Sequence, residues 1–294
     1  INDRPSALNS IHRRLWMKKS ARMKIEFEKI SGAKNIFLFT KKLSLDLETQ
    51  LKLIKKVCDP YEGFFADGVV FMEQLKDSEF KWYFFNSDGS GAEMCGNAAR
   101  CAHKFIQMKY ASLDSVSIQT LSGKVTSTFK NDHFYVNMTV PSRASELLLG
   151  ASFFESELDF AAFKKAASTS AYFADTGVPH LIIPVSNWDE ALKLKATWLF
   201  LRKHKHFEKG TNVTLVQVQK DGTTKAISFE RGVDNFTQAC GTGATAAALY
   251  IKHKENKKLV TIVMPGGTLK VDLNQDSPVL IGEAVDIGQV IVNI

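Results

Sequence analysis

The chain has 294 residues, 45% hydrophobic and 23% charged, with 4 cysteines and a formal net charge of +7. These are globular values, with apolar mass for about two domains of roughly 150 residues. No apolar run approaches the roughly 18 residues of a membrane span, so a membrane partner is not expected.

The charge is unevenly placed. Residues 1–22 hold Arg4, Arg13, Arg14, Lys18, Lys19 and Arg22 against the single acid Asp3, so +5 of the +7 sits there. A body left at +2 does not point to nucleic acid. The arm lacks the apolar stretch of a secretory signal. It reads as an appended segment, a misassigned start or a targeting extension, and the body as cytoplasmic. Cys58, Cys95, Cys101 and Cys240 form no CxxC pair, which argues against a zinc ribbon or a thioredoxin motif. Four cysteines in a chain this long are not a disulfide framework either.

From Met23 onward the patterning is regular. Lys24–Lys29 alternates as a strand and Asn35–Thr40 forms a second. Leu45–Val57 has helical spacing and stops before the Asp59-Pro60 turn. Strands are expected at Val69–Met72 and Lys81–Asn86, and a helix at Ala98–Tyr110. Val116–Thr120, Lys124–Lys130 and His133–Val140 follow as β-segments separated by turn residues. Pro141–Gly150 is the expected domain boundary. The second half repeats the grammar. Strands fall at Ala171–Asp175 and Leu181–Val185, then a mostly helical Glu190–Lys205 capped by Asp189. A hairpin joins Val213–Lys220 to Thr224–Arg231 around Asp221-Gly222. An Ala-rich helix spans Gly243–His253, followed by strands at Leu259–Met264, Thr268–Leu273 and Val279–Asp286. The basic runs at Arg202–Lys209 and Lys252–Lys258 read as solvated turns or helix ends.

An internal echo carries the functional reading. Cys95-Gly96-Asn97-Ala98-Ala99 and Cys240-Gly241-Thr242-Gly243-Ala244 match in order, and each copy opens an apolar helix after a strand and a polar turn. A two-fold repeat accounts for the length and places two equivalent cysteines at two helix N-termini. Such an end presents unpaired N–H groups and about half a positive charge. It can bind a carboxylate and lowers the pKa of a cysteine there, so a thiolate is expected near neutral pH. Two such ends face to face would hold one carboxylate between two thiols. One thiolate could remove the proton from the adjacent carbon, and the other thiol could return one from the opposite face. That is stereoinversion of an amino acid without a cofactor. Cys58 and Cys101 read as small buried hydrophobes. The Gly-Thr-Gly-Ala segment lacks the Lys-Ser/Thr of a phosphate-binding loop.

Asn86-Ser87-Asp88-Gly89-Ser90, Met94-Cys95-Gly96-Asn97 and Arg100-Cys101 resemble the first signature of the diaminopimelate epimerase family. Glu230-Arg231-Gly232-Val233 and Ala239-Cys240-Gly241-Thr242-Gly243-Ala244 resemble the second. Smaller matches are Gly32 with Asn35, Ala66-Asp67-Gly68-Val69, Gly177 with Pro179-His180, and Thr211-Asn212-Val213. The resemblance runs from about Met23 to the C-terminus.

It implies an α/β (α+β) fold of two pseudo-symmetric domains, each a β-barrel-like sheet around a central helix, with the active site in the interdomain cleft. The domains would be residues 23–140 plus 285–294, and residues 141–284. It implies acid–base catalysis by Cys95 and Cys240 with neither pyridoxal phosphate nor metal, Cys95 being the base for the L,L substrate. Backbone amides at Gly96, Asn97, Gly241 and Thr242 would hold the reacting carboxylate. Asn35 would line the cleft, and Asn86, Asn212, Glu230 and Arg231 would grip the distal end of diaminopimelate. A homodimer is the family's frequent assembly. His180 would lie near the cleft, with a structural hydrogen bond as an equal alternative to a functional role.

The chain departs from the common pattern at Val178, where an Asn is usual, at Ile36 for an Asp, at Ala98 for a Gly, and in a Glu230–Cys240 segment one residue longer. Val178 keeps a racemase of another amino acid in view. A non-catalytic binding protein would need neither thiol, and a redox protein would use the cysteine pair as a dithiol.

Overall fold

The computed structural model describes residues 23–294; the basic arm lies outside them. The first half contains β1 (Lys24–Gly32), β2 (Asn35–Lys41), α1 (Leu47–Cys58), β3 (Gly68–Lys76), β4 (Glu79–Asn86), α2 (Gly96–Lys109), β5 (Ser115–Thr120), β6 (Gly123–Lys130) and β7 (His133–Asn137). The second contains β8 (Arg143–Leu148), α3 (Glu157–Ala166), β9 (Ser170–Asp175), β10 (Pro179–Pro184), α4 (Trp188–Lys193), α5 (Lys195–Arg202), β11 (Asn212–Val218), β12 (Thr224–Glu230) and the short β13 (Asn235–Phe236). It continues through α6 (Gly241–Glu255), β14 (Leu259–Met264), β15 (Gly267–Asp272), β16 (Val279–Gly282) and β17 (Val285–Asn293).

The halves share one wiring plan. In the first, β2 runs parallel to β3, β3 antiparallel to β4, and β4 parallel to β5, which leads through β6 to β7. In the second, β10 runs parallel to β11, β11 antiparallel to β12, and β12 parallel to β14, which leads through β15 to β16. An extra antiparallel strand lies beside the opening strand of each plan. β8 pairs with β9, and the last strand, β17, crosses back to pair with β1. β7 and β16 pair antiparallel, so the two curved layers form one continuous sheet.

Strict alternation on the strands allows each layer to bury both faces. Phe37, Phe39, Val70 and Met72 point toward α2, whereas Leu38, Val69 and Phe71 point toward α1. Likewise Ile182, Val216 and Ala226 face α6, and Leu181, Ile183, Leu215 and Ile227 pack with Phe163 of α3 and Trp198 and Leu201 of α5. A helix enclosed on all sides must be apolar and small around its circumference. α2 meets this with Ala98, Ala99, Cys101 and Ala102, and α6 with Ala244, Ala246, Ala247 and Ala248, all fully buried. α1 covers only the outside and buries one stripe, Leu53, Ile54, Val57 and Cys58.

Several local readings are corrected. Residues 141–150, in which no strand was expected, carry β8, an exposed strand paired only with β9. Helix α3 was not expected, although Ser156 caps it by accepting from the Asp159 amide at 3.1 Å. The helix expected over 190–205 breaks at Leu194 (φ −82°, ψ 39°) into α4 and α5, and Asn187 rather than Asp189 is its cap. β7 ends at Asn137, short of Val140, and the strand expected over 279–286 is interrupted at Glu283-Ala284, where the chain leaves β16 for β17. No helix among the described residues is long and apolar enough to cross a membrane.

Candidate active site

The central helices α2 and α6 meet end to end. Cys95 and Cys240 are their N-caps, both in extended backbone. Glycine is required next to each. A Cβ placed on Gly241 would stand 3.4 Å from Gly96 Cα and 3.0 Å from Leu280 Cδ2, and one on Gly96 would stand 2.7 Å from the same Leu280 atom. Leu280, on the strand that joins the halves, is thus wedged between the two termini. The first amides of each helix, including Gly96, Asn97, Gly241 and Thr242, have no intrahelical acceptor.

Cys95 Sγ lies 3.8 Å from Asn35 Oδ1. Asn35 is oriented from behind by Asp67, whose Oδ2 accepts from Asn35 Nδ2 at 2.6 Å and from the Ile36 amide at 2.7 Å. Asn97 Nδ2 donates to Asn35 Oδ1 at 3.4 Å and, across to the other half, to the Ala239 carbonyl at 3.3 Å. On the second side, Cys240 Sγ accepts from the Gly243 amide at 3.3 Å and lies 3.3 Å from Thr242 Oγ1. Thr242 Oγ1 is 3.0 Å from His180 Nε2, and His180 Nδ1 is 2.9 Å from Thr214 Oγ1. Asn212 Nδ2 also reaches His180 Nε2, at 3.3 Å, while its Oδ1 accepts from the Arg231 amide at 2.7 Å. The Arg231 guanidinium donates to the Lys209 carbonyl at 2.8 Å, and Glu230 accepts from Thr237 Oγ1.

Of the differences between the two copies, the one at Ala98 and Gly243 has a packing reason. Ala98 is tolerated in α2, but a Cβ on Gly243 in α6 would fall 2.3 Å from Ser228 Oγ and 3.2 Å from His180 Cε1. The buried polar chain beneath Cys240 therefore demands glycine there.

Electrostatics overturn one expectation. Helix-end thiolates were expected near neutral pH, yet burial pushes the Cys95 thiol up to about 11, with the Ala98 and Asn97 amides pulling the other way and Glu230 adding to the rise. Burial and then Glu230 push Cys240 up as well. Desolvation of the charged form outweighs the helix amides at both sulfurs. Burial also raises the Glu230 carboxyl, opposed by hydrogen bonds from Thr237 and Cys240. It lowers His180 to about 3, helped by Arg231, so this imidazole is neutral.

Asn35, Cys95, Gly96 and Asn97 thus lie together on the first side and Cys240, Gly241 and Thr242 on the second, the sides meeting at Gly96 and Gly241, with Asn212, Glu230 and Arg231 in a connected polar cluster on the second side. Asn86 stands apart: its side chain donates to Ser90 Oγ at 3.0 Å within its own turn. Asp67, Thr214, Ser228 and Thr237 were not singled out from sequence. Asp67 was visible only as a short motif match, and the hydroxyls carry no local signal. Cys58 and Cys101 are buried, as expected of core thiols.

The geometry agrees with comparisons to known proteins. The family model described as diaminopimelate epimerase matches residues 27–144 and 172–292. A diaminopimelate epimerase of Aquifex aeolicus is 35% identical over 268 residues, covering 86% of this chain and 91% of the relative. That of Helicobacter pylori (strain P12) is 33% identical over 85% of this chain and 90% of the relative. Among solved structures, a phenazine biosynthesis protein of the PhzF family from Bacillus anthracis superposes with a TM-score of 0.73 at 13% identity, over 92% of this chain and 100% of that one. A hydroxyproline epimerase from Agrobacterium vitis gives 0.62 at 13% identity, over 92% of each chain. These structures share the fold, and the sequence match decides the family: the chain belongs to the diaminopimelate epimerase family.

Proposed function

We propose that this protein is a diaminopimelate epimerase, an isomerase that interconverts the L,L and meso forms by proton transfer between two sulfurs. The observation that carries the reading is the meeting of two cysteine-capped helix ends at Gly96 and Gly241. Amides of Gly96, Asn97, Gly241 and Thr242 receive the reacting carboxylate, where two helix dipoles offset the charge that grows as Cα loses its proton. One sulfur, as thiolate, takes the Cα proton; the thiol opposite gives its own proton to the other face. Product leaves with one proton exchanged and the two sulfurs with their roles reversed. The chemistry asks for no pyridoxal phosphate and no metal.

Asn212, Glu230 and Arg231 bind the distal amino-acid head: a guanidinium for its carboxylate and a carboxylate for its ammonium; Asn86 would join them by exchanging its bond to Ser90 for one to substrate. The division into residues 23–140 with 285–294, and 141–284, is supported by the pairing of β17 with β1 and of β8 with β9. Four free cysteines fit a reducing, cytoplasmic setting.

The test is α-deuterium incorporation from deuterated water into L,L-diaminopimelate, compared with single amino acids. Exchange confined to diaminopimelate, and lost in Cys95→Ala and Cys240→Ala, is the expected result. Faster exchange into another amino acid would favour the racemase reading that Val178 motivates, and full turnover in either variant would refute the two-sulfur mechanism.

A further inference from the structure

Arg100 is the anomaly of the first helix. It is fully buried, 0% exposed, yet forms no ion pair among the described residues. Nη2 donates to Asn97 Oδ1 at 3.0 Å and Nε to the Glu283 carbonyl at 3.1 Å, while Nη1 has no partner among the described residues. A Cβ on Gly282 would lie 3.2 Å from Nε, and one on Gly32 would lie 3.4 Å from Nη2. A cavity of about 810 Å³ that borders Arg100 is lined by Lys34 and Lys270, which add positive charge, and by Glu283, which gives Arg100 its carbonyl and no carboxylate contact. The charged and titratable groups felt at Cys95 are Glu230, Arg100, Cys101 and Cys240; Arg100 alone among them is a cation.

A guanidinium sealed from water without an anion is expensive, and that cost is retained where the missing anion appears during function. Here negative charge arises twice in turnover, on the sulfur and on the reacting carboxylate. Arg100 also reaches the site mechanically: through Asn97 it holds the side chain that bonds both Asn35 and the carbonyl preceding Cys240. We propose that Arg100 is a positioning residue and standing counter-charge for the Cys95 side of the site, orienting Asn97 and offsetting the anion that forms there. This rests on the two-sulfur reading above.

The test compares wild type with Arg100→Gln, which removes the charge, and Arg100→Lys, which keeps it but loses the bidentate geometry. Alkylation of Cys95 by iodoacetamide is followed against pH in the free, full-length protein by mass spectrometry, alongside kcat and KM for deuterium exchange. The midpoint for Cys95 should rise by about one pH unit in Arg100→Gln, with kcat down by about a hundredfold and KM little changed. Arg100→Lys should keep the wild-type midpoint and lose kcat through the misplaced Asn97. An unchanged midpoint in folded Arg100→Gln overturns the proposal. If that variant does not fold, a midpoint raised by a full unit in Arg100→Lys does so instead. Alkylation needs no substrate, so failure of the diaminopimelate reading would appear separately, as absent exchange in the wild type.

Discussion

Replacing Gly96 by Ala tests whether the contact between helix ends is what makes the site. The added Cβ would sit 2.7 Å from Leu280 Cδ2 and 3.1 Å from Met138 Sδ, against 3.4 Å for an ordinary contact. The shortfall is about 0.7 Å. Leu280 and Met138 are both buried, so neither can swing into solvent. Overpacking of this kind costs about 1–3 kcal/mol, more than the roughly 1 kcal/mol that Ala gains over Gly in a helix. Relief must come from a shift of the α2 terminus, which carries Cys95 and the amides of Gly96 and Asn97. A displacement approaching 1 Å in a positioned site costs about a hundredfold in rate, so kcat should fall by roughly tenfold to a hundredfold. The assay is deuterium exchange into diaminopimelate, with urea unfolding in parallel. Pairing the change with Leu280→Val should recover part of both losses, because the two changes share one contact. Wild-type kcat and stability in Gly96→Ala, or a loss indifferent to Leu280, would refute the reasoning.

Two further predictions concern pH and the distal end. The buried thiols of Cys95 and Cys58 are held at about 11 and about 12 by desolvation, above their ordinary value. The folded state therefore binds more protons than the unfolded chain once pH passes the ordinary thiol range. The stability they contribute is complete below about pH 8.5 and lost as pH rises toward 11 and 12. His180, depressed to about 3, gives the opposite sign: its contribution is present above about pH 6.5 and lost as pH falls toward 3. A urea midpoint that stays flat from pH 8 to 10.5 would contradict the alkaline half of this account.

The turn after Glu230 is tied down by an ion pair between Asp234 and the buried Arg202 at 2.7 Å, with side-chain exposures of 41% and 8%. Asp234→Asn should loosen the turn that carries Arg231 and raise KM for diaminopimelate about fivefold with kcat little affected. Unchanged KM would remove the turn from substrate recognition.

What the sequence determined by itself was whatever has a short period. Alternation on β1, the apolar runs of β2 and β3, the small-residue faces of α2 and α6, and the two Cys-Gly helix openings are written within a dozen residues each. They were enough for the duplicated plan and for the central pair of cysteines. The break at Leu194 and the strand β8 escaped because packing against neighbours, not local propensity, decides them. The signal for helix α3 is local, in the capping residue Ser156 and the acids Glu157 and Asp159 of its first turn.

Only the tertiary structure decided the rest. Asp67 holds Asn35 from 32 residues away, Asn97 reaches Ala239 across 142, and Arg100 finds the Glu283 carbonyl across 183. The proton affinity of the thiols was decided there too. A helix N-terminus is a local feature that sequence reveals, and it favours thiolate; desolvation depends on what closes over the sulfur, and in this fold it is the larger effect.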